Sequence, residues 1–343
     1  MRIQVNARNR GYEFEARPGE KLLYAGLRAG IDLPYECGTG TCGTCKAKLV
    51  AGRVHDGWPA APGRKHVKPE AGEFLMCQCA AEDALTAEVS KFVYAMEPGS
   101  CTPEACAGVL RGTRRLAHDV LAFGIELEQP RDFDAGQFVV LAAPGVPGYR
   151  AYSMCNFERG AQRLEFVLKR KPDGGFSQWL HEAGRDGDRL QLFGPLGKAT
   201  FDPALAKNLL CIAGGSGIAG MMAILARAAQ ERYFERHRGW VFFGVRTLRD
   251  AFFLGELSAC AASVKVTVAL SDEDVPESAS RSWPQLAFVR GLVHEAARDA
   301  MVGKYQNVRA YAAGPPPAVD AAIRMLLLEA KLTTDNIRYD KFS

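Results

Sequence analysis

The sequence predicts a multidomain chain of α+β and α/β class: a compact α+β unit, then an antiparallel β-barrel, then a doubly wound parallel sheet. Three observations carry this. Five of the ten cysteines fall between Cys37 and Cys79. The stretch from about Ala105 to Pro203 breaks into short strand-like runs separated by turns. Beyond Ala206, apolar strand runs alternate with helical runs, the pattern of a parallel sheet. A length of 343 residues suits two or three domains with real cores.

The elements follow in order. Ile3 and Val5 alternate with polar residues, Asn9-Arg10-Gly11 supplies a turn, and Tyr12, Phe14 and Ala16 resume, which predicts a hairpin. Pro18-Gly19-Glu20 opens a helix with Leu22, Leu23, Ala25 and Leu27 inward, closed by Gly30. A cysteine-rich loop, a strand over 46–50 and a last strand near 85–92 complete a unit of residues 1–95. Residues 96–104 have linker composition. The barrel region, 105–203, offers strands at 120–127, 137–141, 164–169 and 189–193. The last region, 204–343, offers strands at 209–213, 240–244 and 264–270 and helices at 218–230 and 317–330.

Composition excludes several classes. The net charge of +4 is small and dispersed, so nucleic acid is not an expected partner. Met1–Arg10 alternates apolar with polar residues, unlike a signal peptide, and no run offers the roughly 18 apolar residues a membrane span needs. A cytoplasmic monomer is expected. Cysteines in such a compartment serve metal or redox chemistry more often than disulfides.

Cys37, Cys42 and Cys45 have C-x4-C-x2-C spacing, and Cys77 supplies a fourth thiolate, with Cys79 beside it as the alternative. This is the spacing of a plant-type [2Fe–2S] site. Three ligands on one tight loop need a pliable backbone, and Gly38, Gly40 and Gly43 supply it while letting amides approach the sulfides. Structural zinc prefers two C-x2-C pairs, which Cys77-Gln78-Cys79 does not offer.

The run from Pro34 to Lys46, with Phe74-Leu75-Met76-Cys77-Gln78-Cys79, resembles the ferredoxin domain of bacterial oxygenase reductases. The resemblance implies a β-grasp fold and makes Cys77 the ligand and Cys79 a spectator. Arg150-Ala151-Tyr152-Ser153 is similar to the R-x-Y-S motif of the ferredoxin–NADP reductase superfamily. There the Arg neutralises a flavin phosphate, the Tyr ring packs on the isoalloxazine and the Ser bonds its N5 edge. Each role suits the side chain: a guanidinium for phosphate, an aromatic face for a ring, a hydroxyl where hydride arrives. Asp173-Gly174-Gly175-Phe176-Ser177 resembles the second motif, opening a helix that receives the FAD pyrophosphate. Residues 134–138 and 193–197 also resemble family segments.

Gly214, Gly215, Ser216 and Gly217 sit between an apolar strand and a helix, where glycines permit close approach of a nicotinamide-cofactor pyrophosphate. Gly314 and Pro315, before the final helix, resemble the family's nicotinamide-side loop, where members carry Cys-Gly-Pro-Pro and this chain has Ala313. Slower hydride transfer is expected from the missing Cys, since its role is orientation. Arg246, after the second strand of the nucleotide fold, stands where the family places its adenosine ribose contacts and is expected either to take a ribose or 2′-phosphate or to be a solvated surface residue. The tail Tyr339–Ser343 resembles family tails that set an aromatic against the flavin, with Phe342 the stacker or else a core-packing residue. Tyr152, Ser153 and Phe342 are thus the residues placed against the reacting ring. Trp58 reads as packing or as a docking surface, and the six histidines show no metal spacing.

The resemblance covers essentially the whole chain. It implies an electron-transfer reductase that passes electrons from NADH or NADPH through FAD to its own [2Fe–2S] cluster. They then go to the terminal oxygenase, or a separate ferredoxin, of an aromatic- or alkene-hydroxylating system. Two rivals stand beside it: the same architecture serving another acceptor, such as a deoxysugar dehydratase, and a non-enzymatic electron-relay or binding module. The slight basic excess of the first 95 residues (13 Lys/Arg against 11 Asp/Glu) is offset by a thiolate-bound cluster, so docking is expected to be only modestly salt-sensitive.

Overall fold

The computed structural model describes residues 1–172 and 174–342; Asp173 of the second flavin motif and Ser343 of the tail lie outside the described residues. The alternating N-terminal residues form β1 (Arg2–Asn6) and β2 (Gly11–Glu15), paired antiparallel with Ile3 opposite Phe14. Helix α1 (Leu22–Arg28) has no polar face: all six residues from Leu22 to Leu27 are buried. A helix apolar all round must be covered on every side. Then come β3 (Lys46–Ala51), β4 (Val54–Asp56), β5 (Glu73–Leu75), β6 (Cys79–Ala81) and β7 (Leu85–Glu88). The five-stranded sheet has the order β2-β1-β7-β3-β5, with β1 and β7 parallel, which is a β-grasp.

Strand β7 stops at Glu88, short of the expected 85–92. After Val89 bonds Asn6, the Asn9 side chain takes over, accepting from the Val93 amide (3.0 Å) and donating to its carbonyl (2.7 Å). A side-chain amide has replaced the ladder, and Phe92 and Tyr94 stand exposed.

The middle of the chain forms β8 (Glu104–Ala117), β9 (Val120–Arg131), β10 (Phe138–Ala142), β11 (Arg150–Ser153), β12 (Ala161–Lys169), α2 (Gly175–Glu182) and β13 (Arg189–Leu196). Strand β9 lies between β8 and β12, antiparallel to both, and β10 lies between β11 and β13. The long β8 buries few of its residues. Arg114 and Arg115 are exposed and its register shifts after Arg111, so alternation alone does not reveal it.

The last region runs β14 (Asn208–Gly214), α3 (Ile218–Gln230), β15 (Gly239–Val245), α4 (Leu254–Cys260), β16 (Lys265–Leu270), α5 (Glu277–Ser282), β17 (Ala287–Arg290), α6 (Val293–Ala300), β18 (Val308–Gly314), α7 (Pro316–Leu328) and β19 (Ile337–Lys341). Its strands are all parallel in the order β17-β16-β15-β14-β18-β19. Strand order reverses between β14 and β18. Ligands of open parallel sheets bind at such a point, beyond the carboxyl ends of the strands.

The chain groups into two compact units. One is Met1–Ala107 with Val139–Ala151 and Gln191–Leu196; the other is Gly108–Phe138 with Tyr152–Leu190 and Gly197–Ser343. No helix among the described residues is long and apolar enough to cross a membrane.

Candidate functional site

In the first unit the cysteine loop curls through three left-handed glycines, Gly38 (φ +66°), Gly40 (φ +87°) and Gly43 (φ +77°). That curl turns amides toward sulfur: Thr39 and Thr41 each donate to Cys37 Sγ at 3.4 Å, and Thr44 donates to Cys42 Sγ at 3.5 Å. The thiols fall into two pairs. Cys37 interacts with Cys42, and Cys45 Sγ lies 3.1 Å from Cys77 Sγ, both buried. Two thiols per pair is what a two-iron centre with four thiolates requires. The Cys42 thiol, with the Thr41 and Thr39 donors, pulls Cys37 down to about 4, while contact with Cys37 and burial push Cys42 up. Gln78 Nε2 reaches Cys77 Sγ at 3.5 Å. Cys79 stands apart, paired with Asp56 across β4 and β6, its thiol pushed up to about 11 by burial.

Two aromatic residues of this unit also engage its barrel strands. Trp58 is half-buried with the Arg150 guanidinium 5.4 Å from its ring centre, and Arg150 donates to the Tyr149 carbonyl at 2.9 Å. Trp58 thus packs against Arg150, the expected phosphate ligand. Tyr24, whose role no sequence motif marks, is 4% exposed and stacks on Phe193.

In the second unit, Tyr152 packs on Phe176 of the second flavin motif, ring centres 5.2 Å apart, and meets Phe123 edge-on at 6.1 Å. Ser153 is buried beside α3: a methyl on Gly220 would stand 3.6 Å from its Cβ. Helix α2 begins at Gly174 and Gly175 with no side-chain cap, leaving its first amides to another acceptor. The Ser177 hydroxyl serves its own loop, donating to Gly174 O (2.9 Å) and accepting from the Lys171 amide (3.1 Å).

The two nicotinamide-side loops meet backbone to backbone. A Cβ on Gly217 would lie 2.3 Å from the Ala313 carbonyl oxygen, and one on Gly314 (φ +140°) would lie 2.6 Å from Gly214 O. Gly215 (φ +53°) has nothing within 4 Å of the place a Cβ would take, so its backbone is open to a ligand. Ser216 follows it, Pro315 caps α7, and the tail returns with the Phe342 amide donating to Gly314 O at 3.0 Å. Arg246 is exposed just past the carboxyl end of β15. Among the described histidines, His118 stands beside two carboxylates despite the absence of metal spacing in sequence: its Nε2 lies 3.7 Å from both Asp119 and Asp250, and Lys169 pairs with Asp119 at 3.2 Å.

Three families match in the same order. Residues 5–82 match a 2Fe-2S iron-sulfur cluster binding domain, 107–201 an oxidoreductase FAD-binding domain, and 211–324 an oxidoreductase NAD-binding domain. The ferredoxin–NAD(P)(+) reductase CarAd of Metapseudomonas resinovorans is 36% identical over 329 residues, covering 94% of this chain and 95% of that one. The ferredoxin–NAD(+) reductase component of the alkene monooxygenase system of Xanthobacter autotrophicus is 34% identical, covering 97% and 99%. Among solved structures, the ferredoxin reductase in carbazole 1,9a-dioxygenase superposes with a TM-score of 0.84 at 32% identity, covering 100% and 99%.

Proposed function

The chain belongs to the ferredoxin–NAD(P)+ reductases that join a [2Fe–2S] domain to FAD- and NAD-binding domains, and we propose that its electrons go to the oxygenase, or a separate ferredoxin, of an aromatic- or alkene-hydroxylating system. It is an NAD(P)H-dependent flavin iron–sulfur oxidoreductase. When bound, FAD and the cluster supply the conversion of a two-electron donor into single electrons. The chain's own residues bind and orient.

Cys37, Cys42, Cys45 and Cys77 hold the cluster in this reading, and the observation that carries it is their division into two thiol pairs with loop amides aimed at Cys37 and Cys42. Side chains have no room at two places in the curl: a Cβ on Gly43 would come to 2.7 Å of His66 Cβ, and one on Gly40 to 2.9 Å of Gln78 Nε2. Arg150 offers charge to the flavin phosphate, Tyr152 an aromatic face, and the uncapped start of α2 at Gly174–Phe176 its amides. Ser153 presents its hydroxyl beside α3, where the nicotinamide-side loops meet. Gly214 to Gly217 cradle a pyrophosphate at the α3 N-terminus. Gly314 and Pro315 wall the ring pocket, Phe342 comes in from the tail, and Arg246 takes the adenosine ribose. The domains run 1–95, 105–203 and 204–343, joined by a linker over 96–104, and the protein works as a monomer.

Two relatives named as reductase components, of an alkene monooxygenase system and of phenol 2-monooxygenase, support the choice of acceptor. Mixing the purified holoprotein with NADH and a panel of terminal oxygenases and ferredoxins tests it. Acceptor-dependent NADH consumption with at least one is expected. Turnover with a deoxysugar dehydratase and with none of the panel would overturn the assignment.

A further inference from the structure

Tyr24 joins the cysteine loop to the barrel strands, all within the first unit. Its hydroxyl donates to the Gly38 carbonyl at 2.9 Å, one residue past Cys37. Its ring stacks on Phe193 of β13 with centres 4.3 Å apart and planes 12° apart, and meets Tyr149 edge-on at 5.7 Å. The loop follows the ring onto those strands: a Cβ on Gly38 would touch Leu196 (3.5 Å) and Val140 (3.7 Å). A buried hydroxyl that gives up water and finds a single backbone acceptor is a directional constraint on that acceptor. The ring fixes where the hydroxyl stands, and the hydroxyl fixes the backbone beside a cluster ligand.

We propose that Tyr24 is a positioning residue for electron transfer: by clamping the Cys37–Gly38 backbone to Phe193 it fixes the cluster loop against the β10 and β13 segments of the same unit. This rests on the reading of the protein as a reductase that feeds its own cluster. One electron arriving from the flavin side turns one ferric ion of the cluster ferrous, and the loop's position governs that step while hydride delivery at the nicotinamide loops does not depend on it. A core tyrosine with no such role would slow both steps alike when removed, through general loss of structure.

The test uses full-length holoprotein carrying Tyr24→Phe or Tyr24→Leu. Phe keeps the ring stack and loses the hydrogen bond; Leu loses both. Anaerobic stopped-flow with NADH reads flavin bleaching and cluster reduction separately, and electron paramagnetic resonance of dithionite-reduced protein reads the cluster's surroundings without the flavin. Cluster reduction should slow by roughly threefold in the Phe variant, the size of one net hydrogen bond. The Leu variant should slow roughly tenfold or more, since an ångström of misplacement is costly. Both should show a shifted resonance spectrum with flavin bleaching unchanged. Equal slowing of the two steps, or an unshifted spectrum with unchanged cluster reduction in the Leu variant, would overturn the proposal. A wild-type cluster that NADH leaves oxidised would instead defeat the reductase reading, and the dithionite spectra would still report on the clamp.

Discussion

The cysteine loop and the nicotinamide-side loops are both rich in glycine, for different physical reasons. In the cysteine loop Gly38, Gly40 and Gly43 all have positive φ, because the chain must curl around a centre and present amides to sulfur. At the switch point between β14 and β18, Gly217 has an ordinary helical φ of −60° and is a glycine because the Ala313 carbonyl passes 2.3 Å from where a Cβ would be. The cysteine loop needs conformational freedom at all three glycines, with space needed as well at Gly40 and Gly43, whereas Gly217 needs empty space alone. The first kind of glycine is tied to a ligand pattern, the second to a neighbour far away in sequence.

The sharpest break in that comparison is at the ligands themselves. Cys77→Ser should abolish the [2Fe–2S] spectrum, because it removes one of four thiolates, whereas Cys79→Ser should leave it intact; optical and paramagnetic spectra of the two variants decide it. Next is space against freedom. Gly217→Ala forces a methyl into backbone and should destabilise by about 2–3 kcal/mol, the upper part of the range for overpacking a tight site. Gly215→Ala, left-handed but open, should cost only about 1 kcal/mol. Thermal melts of the FAD-loaded variants check the order, and a reversed order would dissolve the distinction.

These two loops also differ in how far they can be read from sequence. The cysteine spacing specifies ligand chemistry, so four candidate residues are legible in residues 37–77. Helix α3 is legible too, since an apolar run between glycines has one regular reading, and its range of Ile218–Gln230 matches the expected one. Strand β8 is not, because Arg114 and Arg115 face solvent and Leu110 is the one side chain it buries. The Gly217–Ala313 contact and the Trp58–Arg150 approach are invisible for another reason: both are made by residues about 90 or more positions apart, and neither pair has a local pattern. Tyr24 hides as one more apolar letter in α1.

Smaller effects sharpen the comparison further. Ala313 is buried in β18, with Ala213 opposite it on β14 and Asp340 on β19. Ala313→Cys should speed flavin reduction by roughly threefold to tenfold if a thiol there orients the nicotinamide, one contact being worth about 1 kcal/mol. Stopped-flow at saturating NADH measures it, with an unchanged rate showing a loop adapted to alanine. Trp58→Leu removes the ring beneath Arg150 and should weaken FAD retention by roughly threefold, the scale of a partly exposed cation–π contact. Equilibrium dialysis of flavin reads this, and an unaltered affinity would mean Arg150 holds its place unaided.

The central claim is that one chain carries electrons from NADH to its own cluster, and the direct measurement is an anaerobic NADH titration of the purified holoprotein followed by electron paramagnetic resonance. The account predicts that a [2Fe–2S] signal, absent before addition, grows with NADH to near one spin per protein and is lost in Cys77→Ser while flavin bleaching persists. A bleached flavin beside a cluster that stays silent in the wild-type protein would contradict it.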